Sequence, residues 1–127
     1  MPKTYYLSNS YINASMRATP YTSPASVYLA LFTSSPTPGG GGTEVSAGGY
    51  TRQAVTWSVP SSGVSANTTD IVFSTASQVW GTVVSFGVYD NPVAGNLLYY
   101  SNLNASRLVQ VNDQVKFPTG QLQVTED

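Results

Sequence analysis

The run Val27-Tyr28-Leu29-Ala30-Leu31-Phe32-Thr33 constrains this chain more than any other stretch. It carries no charge, lies between Pro24 and Pro36, and consists mostly of residues that fit a pleated surface. Seven such residues are too few for a buried helix and suit a strand covered on both faces. A strand of that kind needs partners at its edges and layers above and below it. The remaining sequence must therefore supply a layered β structure.

It offers several further strands. Tyr50 to Val59 alternates, with Val55, Trp57 and Val59 on one face and Arg52, Ala54 and Thr56 on the other, as in a half-buried strand. Ile71-Val72-Phe73 is a short strand. Val83 to Tyr89 is a long uncharged one, and Gly87 within it marks a bulge or a close neighbouring backbone. Asp90-Asn91-Pro92 and Ala94-Gly95-Asn96 reverse the chain, and Leu97 to Leu103 returns. The last quarter reads as a meander: Arg107 to Val111, a turn at Asn112-Asp113, Val115 to Phe117, a turn at Pro118-Thr119-Gly120, and a final strand with Leu122 and Val124 on one face. Pro20 to Pro24, Pro36 to Gly49 and Pro60 to Thr69 are connections. The expected fold is all-β, an antiparallel, jelly-roll-like β-sandwich of about eight strands with one short N-terminal helix. At 127 residues the chain makes one domain, with a helical arm at 1–19 and the sandwich at 25–125.

The helix rests on Leu7, Tyr11 and Ala14, with Ile12 and Met16, at helical spacing. Ser8 or Asn9 can cap it, and it ends before Thr19-Pro20. Two uses fit the pattern: packing on the chain's own sheet, or docking into a neighbouring subunit.

Chemistry is narrowly bounded. The chain has no histidine and no cysteine, which removes the usual general base, the usual transition-metal ligands, disulfides and the Ser-His-Asp triad. Its basic residues number five and are scattered, so they build no nucleic-acid groove. No apolar stretch reaches the roughly 20 residues that span a bilayer, and the first residues lack a signal-peptide core. The glycines of Pro36 to Gly49 lack the lysine of a phosphate loop. Glu44 and Asp90 both sit in loops and form the one carboxylate pair a glycan hydrolase could use. No acidic cluster suits calcium. We expect no catalytic residue, no metal and no cofactor. Tyrosines and tryptophans, Tyr99-Tyr100 among them, leave sugar binding open.

The surface is more informative. Only 9% of residues are charged, against about a quarter in ordinary domains. Neutral strands protect their edges poorly from association. That favours a protein made to assemble with copies of itself or on a larger scaffold.

Several blocks support this reading by resemblance. They are Thr19-Pro20-Tyr21 after the N-terminal element, Val27 to Thr33 with Pro36, Gly42-Thr43-Glu44-Val45-Ser46, Gly48-Gly49-Tyr50-Thr51-Arg52-Gln53-Ala54-Val55, Trp80-Gly81-Thr82-Val83 with Phe86-Gly87 and Asp90, Gly95-Asn96-Leu97-Leu98-Tyr99, and the closing Gly120, Leu122 and Val124. In this order they resemble a family of small tailed-bacteriophage virion proteins labelled tail-fibre proteins. Asn112 departs from the family's more common glycine, and asparagine also tolerates the left-handed conformation. The resemblance implies a non-enzymatic structural part of a tailed-phage virion, fibre-like or decorating the capsid or neck. It would be made in the host cytoplasm and work as a homo-oligomer, such as a trimer, with other virion proteins. The expected assembly surface comprises Tyr5, Tyr6, Tyr11, Met16, Glu44, Tyr50 and Arg52, with Glu44 and Arg52 pairing at the base of the glycine loop. The alternative is a receptor-binding module that recognises a host-surface glycan.

Overall fold

The computed structural model describes residues 1–126. One helix, α1 (Tyr5–Met16), precedes nine strands: β1 (Val27–Ser34), β2 (Thr43–Glu44), β3 (Gln53–Val55), β4 (Val64–Ala66), β5 (Ile71–Val72), β6 (Gly81–Tyr89), β7 (Leu97–Val109), β8 (Lys116–Phe117) and β9 (Gln123–Thr125). The architecture is all-β with a single helix, and every strand pairing is antiparallel.

The main sheet runs β2, β1, β6, β7, and β3 shares the β1 edge with β2. β1 is its buried centre: Leu29, Ala30, Leu31 and Phe32 are each at most 1% exposed. Alternation sends Leu29 and Leu31 into the larger core, with Phe73, Trp80, Val83 and Val109, and Ala30 and Phe32 into a smaller cluster with Leu97. The second layer consists of two short pairs, β4 with β9 and β5 with β8. The pairs β6–β7, β5–β8 and β4–β9 are nested one outside another along the chain. Such concentric pairing is the wrapping order of a jelly roll.

The expected terminal meander is not formed. β8 and β9 follow each other in sequence, but they pair with β5 and β4. Leu97 to Leu103 and Arg107 to Val111, read as separate strands, are joined in one long β7. Ser85 faces Asn102 while Val83 faces Arg107, so two steps on β6 match five on β7. The chain between them bulges out without ending the strand. Two connections hold strands of their own, β2 within Pro36 to Gly49 and β4 within Pro60 to Thr69. Val59, expected to face inward with Val55, is 89% exposed because regular pairing of β3 ends at Val55. Gly87 fulfils the close-approach reading: an added Cβ would lie 2.7 Å from Leu97 Cδ1 and 3.1 Å from both Phe32 Cε2 and the Tyr99 carbonyl oxygen.

The helix starts earlier than expected, capped by Thr4, whose hydroxyl accepts from Leu7 N–H at 3.4 Å and donates to the Leu97 carbonyl at 2.6 Å. Residues ahead of it run along β7, with Thr4 N–H on the Leu98 carbonyl and Tyr100 N–H on the Pro2 carbonyl. Leu7 is the buried residue of α1.

Candidate functional site

Glu44 ends β2 and Arg52 stands just before β3. Since both strands pair with the same edge of β1, Glu44 opposite Phe32 and Gln53 opposite Leu29, the two side chains meet. Arg52 Nε and Nη2 donate to Glu44 Oε2 and Oε1, each at 2.8 Å. Arg52 Nη1 reaches across to the carbonyls of Asn91 (2.9 Å) and Ala94 (2.7 Å), and the guanidinium lies 3.6 Å from the centre of the Tyr89 ring. Its side chain is only 7% exposed. Burial works against the Arg52 charge, but the hydrogen bond and charge of Glu44 outweigh it and hold the guanidinium more firmly protonated than usual.

Tyr50 completes the cluster from inside. Its hydroxyl donates to Glu44 Oε2 at 2.6 Å and accepts from Leu31 N–H at 3.0 Å. Its ring stacks on Phe73 and meets Trp80 edge-on. Burial, then the Glu44 hydrogen bond, pushes this hydroxyl far above the ordinary tyrosine range. Both Tyr50 and Arg52 thus hold their protons more firmly than usual. What the cluster does is tie the loop after β1 and the β6–β7 loop to the central strand. Asp90, the other carboxylate of the hydrolase reading, is turned into its own loop, accepting from Asn96 N–H at 2.7 Å and Asn96 Nδ2 at 3.0 Å. Burial raises its pKa, and the bonds from Asn96 and Asn91 outweigh that and hold it below the usual carboxylate range. Glu44 and Asp90 are thus each occupied by separate partners.

The other expected surface residues lie on or beside α1. At about 100° per residue, Tyr5, Asn9, Ile12 and Met16 fall within a sector of roughly 60°, opposite the buried Leu7. Tyr5 is 64% exposed, Ile12 56% and Met16 79%. The twelve residues of α1 include no charge. Its outer face is therefore an uncharged stripe in which Asn9 stands among Tyr5, Ile12 and Met16. Tyr5 and Tyr6 also border the glycine turn, where Tyr5 N–H donates to the Pro38 carbonyl. Gly40, Gly41 and Gly42 all have positive φ (96°, 77° and 76°), so this turn needs glycines for its backbone and not merely for flexibility.

Tyr11 lies apart from both groups, in a groove of about 380 Å³ shared with Tyr21, Trp57 and Tyr99. Its ring meets Tyr21 edge-on at 6.0 Å, and its hydroxyl is 3.3 Å from that of Tyr99. Tyr99 in turn donates to Glu126 Oε2 at 3.1 Å, and Glu126 pairs with Lys3. Sequence reasoning passed over Tyr21 and Trp57 as members of a site. A signal was present: Tyr21-Thr-Ser-Pro24 and Trp57-Ser-Val-Pro60 repeat an aromatic-x-x-Pro pattern, and all four named residues line the groove.

In this all-β chain the clustered polar side chains of Glu44, Tyr50, Arg52 and Asp90 brace loops. A family model described as Podophage GP4 fiber I protein gp80 matches residues 2–125, and the chain belongs to that family of phage fibre proteins. The match, over nearly the whole chain, bears out the resemblance to phage tail-fibre proteins. Comparison with curated proteins finds no match.

Proposed function

We propose that this fibre-type protein is a non-enzymatic assembly component of the virion that associates with copies of itself, as in a trimer, and with other virion proteins. The observation that carries the reading is the outer face of α1. A short surface helix ordinarily opposes its buried stripe with charged residues, yet this one presents Tyr5, Ile12 and Met16 and has no charge along its length. Removing such a stripe from water contributes about 25 cal/mol per Å². Identical uncharged faces also meet without like-charge repulsion. The Glu44–Arg52–Tyr50 cluster supports the same role by keeping the neighbouring loops in one shape. Phage carrying Ile12→Glu and Met16→Glu together should contain several-fold fewer copies of this protein per particle. The isolated variant should keep its circular dichroism spectrum, since both side chains are exposed. Wild-type copy number in the particles would overturn the reading.

A second reading, recognition of a glycan on the host surface, is supported by the aromatic groove around Tyr11, Tyr21, Trp57 and Tyr99.

A further inference from the structure

We infer that this groove is a binding site for a neutral carbohydrate, with Trp57 and Tyr21 as its principal contacts. The inference rests on the glycan reading and adds the place, the charge class and the contacting atoms. The groove's volume, about 380 Å³, lies within the roughly 300–1,000 Å³ usual for ligand sites. Its floor is apolar, with Leu7, Val88 and Leu98 among the lining residues, and none of the lining residues is charged.

Three of the lining residues carry polar side-chain groups that make no hydrogen bond within the described residues: Trp57 Nε1, the Tyr21 hydroxyl and the Ser23 hydroxyl. The other tryptophan differs, since Trp80 Nε1 donates to the Gly48 carbonyl at 2.9 Å and its residue is 5% exposed. Open donors and acceptors beside aromatic surface suit a ligand with flat C–H faces and hydroxyl edges, which a pyranose ring provides.

Other occupants fit less well. A peptide adding as a strand needs a free sheet edge, and the backbone beside the groove is already paired, with Ser58 N–H on the Ala66 carbonyl and Thr68 N–H on the Thr56 carbonyl. A hydrocarbon chain would leave the three polar groups without partners. An acidic polysaccharide would meet no cation in the lining, and Lys3, whose ammonium lies 5.7 Å from the centre of the Tyr11 ring, is already paired with Glu126.

The test is titration of the full-length ¹⁵N-labelled protein with an array of neutral hexasaccharides built from glucose, galactose, mannose and N-acetylglucosamine, and with polygalacturonate as the acidic probe. At least one neutral hexasaccharide should move the Trp57 indole N–H resonance while that of Trp80 stays in place. Tyr21→Phe, which keeps the ring and removes the hydroxyl, and Trp57→Phe, which keeps an aromatic ring but removes the pyrrole with its N–H, should each weaken binding about 3–10-fold. Binding that moves other resonances and is unchanged in both variants would overturn the groove and leave the glycan reading standing. No response to any neutral probe would overturn both. Binding of polygalacturonate alone would overturn the neutral class. Groove variants that bind normally but change the solution mass would make the groove an interface between copies.

Discussion

Arg52 engages three parts of the molecule at once: the Glu44 carboxylate, the carbonyls of the β6–β7 loop and the Tyr89 ring. Arg52→Ala should cost about 2–4 kcal/mol, because it removes the counter-charge of a partly buried carboxylate, leaving it the Tyr50 hydroxyl alone, and takes the side-chain donor from two carbonyls. It should also speed proteolysis between Pro36 and Gly49, and unchanged cleavage there would count against the clamp. Gly87→Ala forces a methyl group toward Leu97, Phe32 and the Tyr99 carbonyl, and should lower stability by about 1–3 kcal/mol in denaturant unfolding. Ser85 is the opposite case: its hydroxyl is fully buried and has no partner among the described residues. Ser85→Ala should leave the melting temperature unchanged or raise it. At this scale the sequence was partly legible. Glu44 and Arg52 flank a glycine loop closely enough in sequence to be paired by inspection. Tyr89 and the Asn91 and Ala94 carbonyls reach Arg52 only through the β1–β6 pairing, which no local pattern encodes.

The β6–β7 loop is held largely by Asp90. Because the folded state depresses the Asp90 pKa, its contribution is complete above the unfolded-state value, near 4. It is lost as pH falls through the lower folded value. Amide exchange at Asn96 should therefore accelerate, relative to the core strands, as pH drops below about 4, after correction for intrinsic rates. In Asp90→Asn that acid-dependent step should disappear, and its persistence would assign the effect elsewhere. Among the elements, β1 was legible because a fully buried strand announces itself as an uninterrupted apolar run. β8 and β9 were legible as strands, but their partners were not: β5 and β4 are distant in sequence, and two- or three-residue pairs carry no register signal. The break between two apparent strands in β7 was a bulge. A bulge and a turn both interrupt alternation, and only pairing with β6 distinguishes them.

The whole molecule combines a nested β core with a helix that buries little. α1 is anchored by Leu7, by the Thr4 cap and by the residues preceding it on β7. A helix of 12 residues is marginal on its own in water, so these anchors fix the direction of its exposed stripe. Composition made the neutral surface legible. It could not say that Tyr5, Ile12 and Met16 face outward while Tyr11 turns into a groove, since helical spacing alone fits burial and exposure equally. The central claim is that copies associate through the outer face of α1, and light scattering after size exclusion tests it most directly. The wild-type protein should show a stable multiple of the 13.5 kDa chain mass. Ile12→Glu should run as a single 13.5 kDa chain with an unchanged circular dichroism spectrum. A monomeric wild type, or an Ile12→Glu variant that keeps the wild-type mass, would contradict the account.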